Sequence, residues 1–418
     1  MLAKLEVFLD DAEGLRQAGT AHFALRRGTI STTFSYEAAY LKSPSSYAID
    51  PALPLVQGSH HCEGLPGAFR DSSPDRWGRN LIMREHRLAM ALPDKVLRSL
   101  DDVDYLAGVF DSTREGALRF RTVDGPFLAS AGPVPPIVQL PELLAASRRV
   151  VEDDAGMAQI KELIGAGSSS LGGARPKVSV LDGARLLLAK LSHPGDEWDV
   201  MAWEKTALDL AAAAGIAVPP SKLAKVGDQS VLLIERFDRE GSLDAGPRIG
   251  YMSAMTVLQA QDGQTRDYAE LLEALAYLVR DSREQLEALF RRVCLSVALH
   301  NTDDHLRNHG FIRPSTGWEI SPLFDVNPCP YEGVARATTM MGKDGSSGAL
   351  SEAQALKELA AYAGLDEDAA RKVAGEVLAA TASWRNVACR NGCARSEVSM
   401  FGPVLDECRR AIAKTFGL

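Results

Sequence analysis

The sequence predicts an α+β protein of two lobes, with a small β-rich N-terminal subdomain and a mostly helical C-terminal lobe. Three observations predict it. The opening stretch alternates apolar and polar residues in KLEVFLD, HFALRRG and TTFSYEAAYL, broken by Gly- and Asp-bearing turns, as a small antiparallel sheet would. The middle of the chain runs as Gly/Ser-rich turn, strand, strand, helix, strand. From about residue 252 the apolar period becomes helical, with Leu286, Leu289, Phe290, Val293 and Val297 marking one face of a helix that ends near His300.

At 418 residues and 46% hydrophobic, the chain can bury a large core and is expected to form two or three domains. The expected segments are 1–131, a small lobe at 142–250 and a helical lobe at 251–418, with the Pro-rich GPVPPIVQLP of 132–141 as a linker. A formal net charge of -9 argues against nonspecific wrapping of nucleic acid, because neutralising phosphates needs a basic surface. The six cysteines are scattered, which fits reduced thiols in a cytoplasm. Cys389 and Cys393 are read as helical i,i+4 neighbours, and His60 and His61 as a surface turn. The N-terminus lacks the pattern of a signal peptide and no apolar run reaches membrane length, so no membrane association is expected.

In chain order, residues 71–92 read as a helix, with Asp71 to Ser73 as caps and Pro74 in the first turn. A helical stretch at 142–164 leads into GSSSLGGARPKVSVLDGARLLLAKLS, two short strands turning at Asp182-Gly183. The helix VMAWEKTALDLAAAAG closes at Gly215, and the strand SVLLIERFD follows. Residues 351–384 are Ala- and Leu-rich and helical. This element order is that of the small lobe of a kinase-like fold.

The chemistry concentrates in HNTDDHLRNHGFI at 300–312. Asp303 and Asn308 stand in D-x-x-x-x-N spacing, which suits a carboxylate that orients or takes the proton of an attacking hydroxyl and a neutral amide oxygen that holds Mg²⁺. Asp325, in LFD after a hairpin-like stretch, offers a second hard oxygen ligand at a strand end. Lys190 lies in the apolar strand LLLAKLS, where ATP phosphates would offset the cost of burying its ammonium. Glu204, fourteen residues on, is placed to ion-pair with Lys190. Gly172 and Gly173 permit close approach of backbone amides to oxyanions, and Glu235 and Phe237 sit where backbone groups could meet adenine. His305 either packs under the catalytic loop or contacts phosphate. Each piece alone has an ordinary explanation; their order along the chain is what points to phosphoryl transfer.

These residues resemble the HipA family of bacterial toxin kinases. FSYEAAYL with PGAFRDSSPDRWGRNLI is similar to its N-terminal signature, SSSLGGARPKV to its Gly-rich loop, LLIERFD to its hinge, NTDDHLRNHGF to its catalytic loop and SPLFDVNP to its metal motif. The resemblance implies a Ser/Thr protein kinase using ATP and Mg²⁺. Asp303 would be the catalytic base, Asn308 and Asp325 the metal ligands, and Lys190 the phosphate contact. Gly172, Gly173, Ala174, Arg175 and Lys177 would cradle phosphate, Glu235, Arg236 and Phe237 would line adenine, and His305 and Arg307 would join the ATP site. It also implies autophosphorylation at Ser170, with Ser168 and Ser169 as alternatives in the run of three. The implied partners are a HipB-like helix-turn-helix antitoxin, operator DNA mainly through that antitoxin, and a protein of the translation machinery such as glutamate-tRNA ligase. The HRD, DFG-glycine and APE elements of eukaryotic kinases are lacking, a lack the family shares. A small-molecule kinase and a nonenzymatic corepressor are the rival expectations.

Overall fold

The structure is a computed structural model that describes residues 3–26, 28–90, 98–129, 133–168, 175–243, 246–279, 282–314, 317–341 and 348–418. They gather into two compact units. One comprises Met1–Gly195, Ala224–Met252 and Arg313–Thr316, and the other Asp196–Leu223, Ser253–Ile312 and Gly317–Leu418.

The first unit opens with strands β1 (Lys4–Asp11), β2 (Gly14–Arg26), β3 (Thr29–Tyr36) and β4 (Ser59–Glu63), interrupted by helix α1 (Ala38–Lys42). With β5 (Leu118–Arg121) they form an antiparallel sheet in the order β4-β3-β2-β1-β5. The alternation of the opening stretch is therefore real, but AAYL turns into α1 instead of continuing the strand. Tyr40 on that helix stacks on Tyr36 at 5.7 Å. His60 and His61 lie on edge strand β4, not in a turn, and His61 Nδ1 meets Thr33 Oγ1 at 2.9 Å.

The helix expected over 71–92 is two helices, α2 (Gly67–Asp71) and α3 (Arg76–Met90). Ser72 and Ser73 donate back to the carbonyls of Ala68 and Phe69, ending α2 rather than capping α3. Asp75 is the cap of α3: its Oδ1 accepts from Gly78 N at 2.7 Å. Helix α4 (Asp102–Ala107) follows, with a capping box formed by Asp101 and Asp104.

Helices α5 (Leu140–Val151) and α6 (Met157–Gly165) cover one face of a sheet made of β6 (Lys177–Asp182), β7 (Arg185–Leu191), β8 (Ser221–Val226) and β9 (Gln229–Glu235), in the order β6-β7-β9-β8. Leu143, Val150, Ile160 and Leu163 pack there against Val178, Val180, Leu187, Ala189, Leu191, Val231 and Leu233. The Pro-rich stretch ahead of α5 does not behave as a detached linker. Leu181 N donates to Pro135 O at 2.9 Å, docking the stretch on β6. Proline keeps its carbonyl acceptor while lacking the N–H, so it suits the outside of a sheet edge. The β6–β7 hairpin pairs Asp182 with Arg185, and Gly183 adopts φ 63° in the two-residue turn.

The second unit is built on α7 (Val200–Ala213), α8 (Ala254–Val257), α9 (Tyr268–Leu278), α10 (Ser282–Ala298), α11 (Ala349–Tyr362), α12 (Glu367–Thr381), α13 (Trp384–Arg390) and α14 (Arg395–Phe416). Among strands β10 (Gly250–Ser253), β11 (Gly310–Arg313) and β12 (Glu319–Ile320), the last two form a short antiparallel hairpin. The run expected as helical at 351–384 is α11 and α12, broken at Gly364, which takes φ 68°. Helix α7 is fixed by Trp203, which stacks on Phe401 at 3.7 Å and donates its indole N–H to Glu397 at 3.0 Å. Gly215 takes φ 75° just past α7, as its closing role requires. Among the described residues no helix is long and apolar enough to cross a membrane.

Candidate functional site

In the first unit the site residues lie on β6, β7 and β9. Register sets their faces: Lys190 pairs with Lys177 on one side and Leu232 on the other, and direct cross-strand partners point the same way. The face packed against α5 and α6 carries Leu187, Ala189 and Leu191. Lys190 therefore projects from the opposite face, buried to 7% exposure. Lys177 is buried more deeply, at 2% exposure, and its Nζ meets Asp75 Oδ2 at 2.7 Å. One carboxylate thus caps α3 and holds a lysine of β6.

Ser168 is fully buried, accepts from the Trp77 indole N–H at 3.1 Å and donates to the Lys177 carbonyl. Of the three serines proposed for modification, this one is enclosed. Ser169, Ser170, Gly172, Gly173 and Ala174 lie outside the described residues. Arg175 immediately precedes Pro176 and β6.

Glu235 ends β9, and its Oε2 accepts from Arg185 Nη1 at 3.2 Å. The Arg236 guanidinium is buried on Asp238, at 2.7 Å to Oδ1, and on the Thr113 carbonyl at 3.0 Å. Its side chain is thus a structural group, and the expectation of a nucleotide contact narrows to its backbone. Burial lowers the Arg236 guanidinium, but Asp238 outweighs it and the group is held above its ordinary range. Phe237 lies 6.2 Å from the Tyr251 ring. Beside them, burial pushes the Glu115 carboxyl up to about 8, with Arg236 opposing the rise.

In the second unit the residues of the candidate catalytic loop, 300–312, follow α10. His300 takes φ 49°, which stops the helix, and residues Leu306–Asn308 form a single 3₁₀ turn. Asp303 is exposed, whereas Asp304 next to it is buried to 5%. Asn308 Nδ2 donates to the Asp303 carbonyl at 2.9 Å, which leaves Oδ1 as the atom that could bind a cation. Arg307 pairs with Asp262 at 2.5 Å. His305 is half-buried, and its Nδ1 has no partner among the described residues.

Asp325 does not end a strand. β12 stops at Ile320, and Asp325 sits in irregular backbone at φ 57°, a left-handed conformation that aspartate tolerates better than most residues. Its Oδ1 accepts from Asn327 Nδ2 at 3.1 Å, and Asn327 N donates to Asn301 Oδ1 at 3.3 Å. A chain of two hydrogen bonds therefore ties Asp325 to the start of the catalytic loop. Asn308 and Asp325 supply the hard oxygens that Mg²⁺ prefers, and an ion arriving with a nucleotide needs only one or two protein ligands. Among the described residues no group of three or more His, Cys, Asp or Glu side chains forms a metal cage.

Several residues that shape the loop were not expected from the sequence. Asp304 accepts from the Tyr268 hydroxyl at 2.5 Å and Ser296 Oγ at 2.7 Å, and His309 Nε2 lies 3.0 Å from its other oxygen. Burial raises the Asp304 carboxyl, but His309, Tyr268 and Arg336 together outweigh it and hold the group well below the usual carboxylate range. Arg336 is pinned by Glu352 through two contacts of 3.1 Å and donates to the Asn301 carbonyl at 2.6 Å. The only sequence signal for Asp304 is the adjacent pair of aspartates, one facing solvent and one facing inward. Tyr268, Arg336 and Glu352 lie on distant segments and leave no local mark. Glu204 is buried on α7 in this unit, whereas Lys190 belongs to the first.

Two family models match the chain: one described as HipA N-terminal domain over residues 5–107, and one described as HipA-like C-terminal domain over residues 169–384. No curated protein sequence matches it. Among solved structures, it is similar to the HipA of Shewanella oneidensis MR-1 in a toxin-antitoxin complex with HipB and operator DNA. The identity is 15% and the TM-score 0.69, covering 99% of this chain and 98% of that one. It is also similar to the Helicobacter pylori proinflammatory kinase CtkA, at 14% identity and a TM-score of 0.45, covering 59% of this chain and 92% of that one. The first likeness shows a common fold over nearly the whole chain, and the second is too distant to argue from.

Proposed function

The chain belongs to the HipA family, and from that premise we propose that it is an ATP-dependent Ser/Thr protein kinase acting as the toxin of a toxin-antitoxin pair. The observation that carries this reading is the loop pair of the helical unit. Exposed Asp303, Asn308 with its amide nitrogen fixed on the Asp303 carbonyl, and Asp325 tied through Asn327 to Asn301 at the start of the same loop make up the set, held by two separate groups of hydrogen bonds. That set combines a proton-orienting carboxylate with two oxygen ligands, which is what phosphoryl transfer asks of a protein.

Asp303 orients the acceptor hydroxyl and receives its proton as the oxygen attacks. Asn308 Oδ1 and the Asp325 carboxylate would hold Mg²⁺, whose charge would offset that of the phosphates. Lys190 would meet the phosphates, Gly172, Gly173, Ala174, Arg175 and Lys177 would cradle them, and Glu235, Arg236 and Phe237 would line adenine. Autophosphorylation falls on Ser170 or Ser169, since the Ser168 hydroxyl is enclosed by Trp77 and the Lys177 carbonyl. A dianion there would repel the ATP phosphates and inactivate the enzyme. The protein substrate belongs to the translation machinery, as glutamate-tRNA ligase does. The partner is a helix-turn-helix antitoxin of the HipB kind, through which an acidic chain of net charge -9 reaches operator DNA.

Asp303→Asn tests the reading. With radiolabelled ATP, the wild type should label itself and a lysate protein, and the variant should lose about 10²-fold or more of that rate. Label found only on small hydroxyl compounds would make it a small-molecule kinase. Full growth arrest by the variant would make it a nonenzymatic corepressor.

A further inference from the structure

Within the helical unit the main chain is held on both sides of Asp303. Ahead of it, the His300 carbonyl accepts from Cys329 N at 3.1 Å and the Thr302 carbonyl from Ala337 N at 2.8 Å. After it, Asp304 is fixed by α9 and α10 through the hydroxyls of Tyr268 and Ser296. The segment that follows Asp325 therefore returns to the start of the candidate catalytic loop.

Arg336, next to Ala337 in that segment, joins the two sides. It is 4% exposed, and its Nε and Nη2 donate to the two Glu352 oxygens, each at 3.1 Å. Glu352, on α11 and 5% exposed, thereby offsets the buried charge and fixes the plane of the guanidinium. The Nη1 then donates to the Asn301 carbonyl at 2.6 Å and to Ser296 Oγ at 2.8 Å. Ser296 in turn donates to Asp304 Oδ2 at 2.7 Å. One side chain thus reaches main chain just ahead of Asp303 and, through a hydroxyl, the residue just after it.

We propose that Arg336 is a positioning residue for the hydroxyl-orienting carboxylate: anchored by Glu352, it fixes the chain on either side of Asp303 and so sets where that carboxylate meets the acceptor. This rests on the phosphoryl-transfer reading above and extends it to a residue that acts through its neighbours. Misplacing a reacting group by about 1 Å costs on the order of 10²-fold in rate. Nucleotide affinity should change little. Arg336 takes Asn301 by its carbonyl, whereas the tie toward Asp325 runs through the Asn301 side chain.

The test pairs rate with affinity in the full chain: transfer of label from radiolabelled ATP to the chain itself and to lysate protein, and calorimetric titration with Mg·ADP. Arg336→Lys keeps a cation for Glu352, but an ammonium lacks the planar fork that spans Glu352, Asn301 and Ser296 together. Its rate should fall about tenfold or more while its Kd stays within about threefold of wild type. Added to Asp303→Asn, the same change should lower the rate by less than about threefold further, because residues that act as a unit are not additive. A merely structural defect would move rate and affinity together and would multiply with Asp303→Asn.

A smaller rate loss in Arg336→Lys would overturn the proposal, and so would a Kd raised beyond that bound or a further loss beyond it on Asp303→Asn. Should Arg336→Lys fail to fold, the double variant Arg336→Met, Glu352→Met decides alone, since replacing a buried ion pair by apolar groups is commonly tolerated. The same rate loss at the same Kd then supports the proposal, and any other result overturns it. A wild type that transfers no label would overturn the phosphoryl-transfer reading itself, and this inference with it. An active wild type with an equally active Arg336→Lys overturns this inference alone.

Discussion

Asp303 and Asp304 are chemically identical neighbours with opposite roles. Asp303 faces solvent, as the proposed role toward an acceptor hydroxyl requires, and Asp304 is buried among Tyr268, Ser296 and His309. Because the Asp304 carboxyl is held below its ordinary 3.8, its stabilisation is present above the unfolded value and is lost as pH falls through the folded one. Asp304→Asn should therefore cost about 3–5 kcal/mol at neutral pH, the usual penalty for breaking a buried charged network. Urea unfolding at pH 7 would show that loss, and the gap between wild type and variant should narrow in acid, below the ordinary carboxyl value. A gap independent of pH would mean that Asp304 acts through shape alone.

Among elements, α7 shows how a helix bearing a candidate site residue is fixed by the distant end of the chain. Trp203 lies between Phe401 and Trp384, at 3.7 and 6.0 Å between ring centroids, and bonds Glu397. Trp203→Ala should lower stability by about 3–5 kcal/mol, as large-to-small changes of buried aromatics do. Trp203→Phe keeps the stack and loses one hydrogen bond, for about 1 kcal/mol. Chemical denaturation of the two variants separates stacking from hydrogen bonding. The boundaries of other elements turned on side chains that bond locally. Ser72 and Ser73 close α2 instead of opening α3, because their hydroxyls reach back four residues as easily as forward.

For the whole molecule, all six cysteines are free, so no disulfide contributes to stability. Thermal midpoints with and without a reducing agent should coincide. Burial pushes the Cys294 and Cys408 thiols up to about 12, whereas Cys389 is exposed. Brief alkylation of the native protein, read by mass spectrometry, should therefore modify Cys389 well before either buried thiol. Preferential labelling of Cys294 would mean that the helical core opens readily.

The sequence by itself determined the class of fold, the order of its elements and the identity of Asp303, Asn308, Asp325 and Lys190 as candidates. Those features are local: apolar period, turn glycines such as Gly183 and Gly215, and motif spacing within one loop are written in consecutive residues. The tertiary structure alone decided which of two adjacent aspartates is buried, that Asp325 sits in left-handed backbone rather than at a strand end, and that Lys177 is held by Asp75. Each depends on groups far apart in the chain, such as Asp75 with Lys177 or Tyr268 with Asp304. A buried charge takes its partner from whatever the packing brings near, and no local pattern records that choice.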